Sequence, residues 1–120
     1  AAKLGDPESA YHLGLMSHKG EDVEQNFKRA AQWYKMAANI GHIGALSNLG
    51  VMYAQGQGVE QDIVLAYKWF GVGAKLGDDI SKNNMETAEA EMDDEQIATA
   101  QELINEFFED RKRASLERRL

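Results

Sequence analysis

The chain repeats itself, and that constrains its fold more than any other feature. Slid by 36 residues, segment 5–40 falls on 41–76 with 11 identities. They are Gly5/Gly41, Leu13/Leu49, Gly14/Gly50, Met16/Met52, Gly20/Gly56, Val23/Val59, Glu24/Glu60, Gln25/Gln61, Ala30/Ala66, Trp33/Trp69 and Ala38/Ala74. At twice the shift the string AKLGD at 2–6 returns at 74–78. A period of this length accommodates one helical hairpin per unit. A lone hairpin cannot bury its apolar face, so the units must stack. The expected fold is all-α: an α-solenoid of antiparallel hairpins, about three repeats long.

Each unit reads as a helix A followed by a helix B, with helices expected near 6–18, 26–40, 43–55, 62–76, 78–91 and 94–113. Asp6 followed by Pro7 supplies a capping carboxylate and a proline at the first helical position. Gly20 and Gly56 stop helix A, because glycine enters the left-handed region without steric cost. Asp22 stands where unit 2 has Gly58. Asn26 and Asp62 cap helix B, whose Ala30, Trp33, Tyr34, Ala37 and Ala38 form one apolar stripe. Gly14 and Gly50 sit mid-helix, where glycine costs about 1 kcal/mol against alanine. Close approach of the partner helix at Ala30 and Ala66 is the expected offset. Trp33 and Trp69 are expected to fill the space between successive hairpins.

The spaced set Ala45, Leu49, Gly50, Tyr53, Gly56, Gly58, Val59, Asp62, Ala66, Trp69, Phe70, Gly73, Ala74 and Gly77 resembles the Sel-one-like repeat, a member of the tetratricopeptide-like superfamily. Unit 1 departs from that pattern at Ser9, Ser17, Asp22 and Asn26 without contradicting it. The resemblance implies an adaptor that binds other proteins, in a family frequent in bacterial envelopes, secretion and signalling systems. It leaves the compartment open. One branch of the family carries a disulfide in each repeat. This chain has no cysteine, so nothing particular to that branch carries over.

The units are bounded at 6–40, 41–76 and 77–110, with 1–5 as the end of a preceding repeat and 111–120 as a basic helical tail. Residues 1–5 match 37–41, the last turn of a helix B. The expectation is that the chain starts inside an earlier hairpin, leaving an apolar N-terminal face prone to self-association. Unit 3 diverges. Ile80, Met85, Ala88 and Met92 keep a helix A stripe, but the Leu-Gly pair and the glycine turn are gone. Asp93 and Gln96 form a capping box, with Met92 and Ile97 as a hydrophobic staple. Ile97, Ala100, Leu103, Ile104, Phe107 and Phe108 face inward behind an acidic exterior. Such a unit suits a solenoid cap.

The net charge of −7 argues against nucleic acid, which requires clustered Lys and Arg. No apolar run approaches the roughly 20 residues of a membrane span. Charge is unevenly placed: balanced over 1–77, strongly acidic over 78–110 with only Lys82 opposing, and basic again over 111–120. The acidic stretch reads either as a solvated face or as a patch for a basic partner.

No motif for chemistry emerges, so neither an enzyme, a cofactor nor a metal is expected. His12, His18 and His42 lack metal-ligand spacing, and His12 and His18 read as surface residues of helix A. Gly56-Gln57-Gly58 is not followed by Gly-Lys-Ser/Thr, so it is no phosphate loop. Asp93-Asp94-Glu95 lacks the glycine and ligand spacing of a calcium loop. Ser9, Ser17, Ser47 and Ser81 read as surface or turn positions without a nucleophile motif. The superfamily resemblance implies instead a concave groove lined by the A helices, at fixed offsets from the Leu-Gly pair. Those offsets give Tyr11, Leu15, His18 and Lys19 in unit 1, Ser47, Val51 and Gln55 in unit 2, and Asn83, Thr87 and Glu91 in unit 3. The expected partner is a protein or peptide, with Glu91 selecting for a basic segment. A purely structural or self-associating segment of a larger solenoid is the alternative.

Overall fold

The structure, a computed structural model, describes residues 6–20 and 25–118. Six helices follow in order: α1 (Pro7–Lys19), α2 (Phe27–Asn39), α3 (Ile43–Gln55), α4 (Ile63–Lys75), α5 (Asp79–Glu89) and α6 (Asp94–Arg118). There is no strand among the described residues. Helices α1, α3 and α5 start one period apart, as do α2 and α4. The chain is a helical-repeat solenoid.

Each start is set by a side chain that satisfies backbone donors the helix leaves open. Asp6 accepts from the Glu8 N–H at 3.1 Å, and Asn26 from that of Arg29 at 3.0 Å. Asp62 accepts from Val64 and Leu65, and Asp78 from Ser81. At α6 the cap is reciprocal: the Gln96 N–H donates to Asp93 at 2.8 Å, and the Asp93 N–H donates to the Gln96 side chain at 3.0 Å. Gly20 and Gly56 end α1 and α3 at φ 75° and 70°. The expected roles of residues 1–5 and of Asp22 lie outside the described residues.

Packing corrects one expectation. The mid-helix glycines make room for a ring, not for the alanines of helix B. A Cβ on Gly14 would stand 2.6 Å from carbons of the Tyr34 ring, and a Cβ on Gly50 would strike Phe70. Tyr34 and Phe70 hold equivalent positions in the repeat, so each unit lays a helix B aromatic across the bare backbone of its own helix A. Ala30 and Ala66 are fully buried, but in the general core.

A second difference concerns the tryptophans. Trp69 is 2% exposed and meets Phe107 of α6 edge-on at 5.9 Å. Trp33 is only half-buried. The reason is that α6 crosses α4, covering Trp69, whereas among the described residues no aromatic is stacked on Trp33.

Unit 3 also packs in its own way. One more period after Ile63 would begin a helix at 99, but α6 begins at Asp94, because the glycine turn is missing and Asp93 caps early. Both α5 and α6 lie on α4. Ile104 of α6 sits where a side chain on Gly71 would go. The basic segment 111–118 continues α6, and the Arg111 guanidinium lies over Phe107 at 5.7 Å.

Candidate protein-binding groove

The exposed sides of α1, α3 and α5 carry the residues expected to line the groove. The period sets them in columns: Tyr11, Ser47, Asn83; Leu15, Val51, Thr87; Lys19, Gln55, Glu91. The first two helices keep the apolar members half-buried. Leu15 and Val51 pack against the edge of the core while retaining exposed surface. Lys19 and Gln55 are exposed, as are Asn83 and Thr87, and the Thr87 hydroxyl donates to the Asn83 carbonyl. Glu91 is exposed but lies past the end of α5, in the turn to α6, since α5 stops at Glu89. The last column therefore runs from a cation through an amide to an anion.

Tyr11 has a structural duty as well. Its ring stacks on His42 at 4.3 Å between centroids, and a Cβ on Gly44 would stand 2.9 Å from it. It joins α1 to the start of α3. The repeat gave no hint of this, because His42 and Gly44 have no counterparts at the same positions in unit 1, where Asp6 and Glu8 stand. His42 caps α3 through Nδ1, which accepts from the Ala45 N–H at 3.2 Å. Its Nε2 therefore carries the proton and donates to Glu8 at 2.9 Å. Glu8 also meets exposed His12 at 3.2 Å.

His18 departs from the surface reading. It is half-buried, its Nδ1 lies 3.2 Å from the Tyr34 hydroxyl, and its ring meets Phe27 edge-on at 5.4 Å. Tyr34 is fully buried, and burial pushes its phenol up to about 12, partly offset by the neighbouring Asn48 side chain. Tyr34 thus reaches from α2 past Gly14 to end between α1 and α3. In unit 2 the equivalents are Phe70 and Ala54: without a hydroxyl, no polar partner is required. This paired change is the signal in the sequence that could have placed His18.

Two serines also differ from expectation. Ser17 and Ser81 are buried. The Ser81 hydroxyl donates to its own cap, Asp78, and Ser9 donates to Asp6 in the same way at 2.7 Å. These hydroxyls brace caps.

On the B-helix side, between α4, α6 and the end of α2, lies a recess of about 590 Å³. Lys68 and Arg111 face Glu106 and Asp110 there, so the recess has no charge bias. Burial holds the Lys68 ammonium below its usual range, and its nitrogen sits 4.2 Å from the centre of the Trp69 ring. Among the described residues no three His, Asp or Glu side chains are grouped to hold a metal, and no helix is long and apolar enough to cross a membrane.

Comparison with known proteins identifies the repeat. The Sel1 repeat matches residues 7–42 and 43–78. The protective antigen c5321 of uropathogenic Escherichia coli strains, which displays an SLR fold, superimposes with a TM-score of 0.84 at 28% identity. It aligns with 88% of this chain and 23% of its own. A Sel1 repeat protein from Oxalobacter formigenes gives 0.66 at 33% identity, over 68% of this chain and 33% of its own. The chain thus spans a third or less of either structure. No curated protein matches it.

Proposed function

Because the chain belongs to the Sel1 repeat family, whose members are generally helical-repeat modules of protein interaction, we propose that it is a non-enzymatic scaffold holding a peptide or protein segment along α1, α3 and α5. The observation that carries this reading is the position of Leu15 and Val51. Both are apolar, partly exposed and equivalent in the repeat, so a bound chain meets the same kind of anchor at each step. Tyr11 adds an aromatic at the α1 end. Lys19, Gln55 and Glu91 form a gradient that orients the segment, with its basic end toward Glu91.

A panel of random twelve-residue peptides, displayed and selected on the chain, tests this. Leu15→Ser with Val51→Ser is expected to weaken the retained peptides at least tenfold while helix content is kept. Glu102→Lys with Glu109→Lys, on the exposed side of α6, is expected to leave them bound. The reverse pattern would move the interface to the acidic face of 78–110. Association of the chain with itself in place of peptide capture would favour the purely structural alternative.

A further inference from the structure

We infer that His18 is a fixed hydrogen-bond donor at the α1 end of the groove, and that it recognises a carboxylate side chain on the bound segment; this rests on the groove reading above. The Tyr34 hydroxyl is the origin of the effect. It is fully buried, and burial favours its neutral form. Its one hydrogen-bond partner among the described residues is His18 Nδ1, at 3.2 Å, and a buried phenol proton needs an acceptor, so it points there. An imidazole that accepts at Nδ1 carries its hydrogen at Nε2. The edge-on contact with Phe27 restrains the ring.

Nε2 has no hydrogen-bond partner among the described residues. His18 keeps part of its surface exposed, and among the described residues no buried side-chain nitrogen or oxygen lacks a partner. The result is a donor fixed in direction, with the exposed Lys19 ammonium next to it in sequence. A fixed donor matches a carboxylate, to which hydrogen bonds are stronger than to a neutral oxygen, and the Lys19 charge adds attraction at this end of the groove. The site is confined to the junction of units 1 and 2. At the next junction Phe70 and Ala54 replace Tyr34 and His18, so nothing there sets a donor. One acidic residue, held at the α1 end, then gives the segment its register. Tyr34 acts through His18 and is a positioning residue.

Two measurements test this on the full chain. Long-range nitrogen–proton spectra of the imidazoles are expected to show His18 solely as the Nε2–H form, and Tyr34→Phe is expected to return it to a tautomer mixture. Phe70 shows that this fold carries phenylalanine at the equivalent place. A His18 protonated at Nδ1 in the parent chain overturns the inference. The second measurement uses the selected peptide panel. His18→Gln keeps a donor near the Nε2 position and is expected to stay within about threefold of the parent. His18→Asn and His18→Ala are expected to lose at least tenfold, as are peptides whose Asp or Glu is changed to Asn or Gln. Equal binding by the Gln, Asn and Ala variants overturns the assignment, as does indifference to the amide peptides. If Leu15→Ser with Val51→Ser abolishes binding while the His18 variants do not, the groove stands and only this inference falls. If no peptide is retained at all, both fall.

Discussion

Bare backbone at Gly50 and Gly14 is what lets an aromatic ring of helix B pack against helix A. Gly50→Ala gains about 1 kcal/mol of helix propensity but drives a methyl into the Phe70 ring. A net loss of roughly 1–3 kcal/mol is expected, read as a lower urea midpoint at unchanged slope. An unchanged midpoint would mean that the ring moves aside freely. Tyr34 gives a second test at this scale. Burial in the folded chain pushes its phenol up to about 12, against 10.0 for the ordinary group. The neutral form is thus favoured by folding: its contribution is whole below pH 10 and is lost as pH rises from 10 to 12. A shift of that size corresponds to about 2–3 kcal/mol. Tyr34→Phe is expected to remove that alkaline loss, measured by urea unfolding across the same range.

Among elements, α6 distinguishes the two tryptophans. Because it seals Trp69 and leaves Trp33 half-covered, Trp69→Ala is expected to cost roughly 3–5 kcal/mol and Trp33→Ala distinctly less. Equal losses would show that α6 adds nothing to the core of unit 2. The early start of α6 depends on its cap, so Asp93→Ala is expected to cost about 1 kcal/mol and fray the first turn, seen as faster amide exchange near Gln96. Helix positions were legible from the sequence because caps and glycine stops are local: Asp6, Asn26, Asp62 and Asp93 act on residues two or three places away. His42 was not legible as a cap, since histidine is an uncommon one and its role depends on Glu8 and Tyr11 from another helix. The Gly–ring pairs were missed for a related reason. Spacing shows that Gly14 and Tyr34 recur together, but which side chain fills the hollow depends on how the helices cross.

At the scale of the molecule, the period alone implies a stack, and stacking brings equivalent residues into columns. That is why Leu15 and Val51 could be named together, while the polar bond between His18 and Tyr34 could not. It occurs once, where unit 1 departs from unit 2. The columns also give the surface a direction, from Lys19 through Gln55 to Glu91. The most direct test of the scaffold account is a map of backbone amide shifts on binding a selected peptide. The account predicts that the largest changes fall on Leu15, His18, Ser47, Val51 and Gln55, with the outer face of α6 unmoved. Changes concentrated on Glu102, Glu106 and Glu109, with α1 and α3 silent, would contradict it.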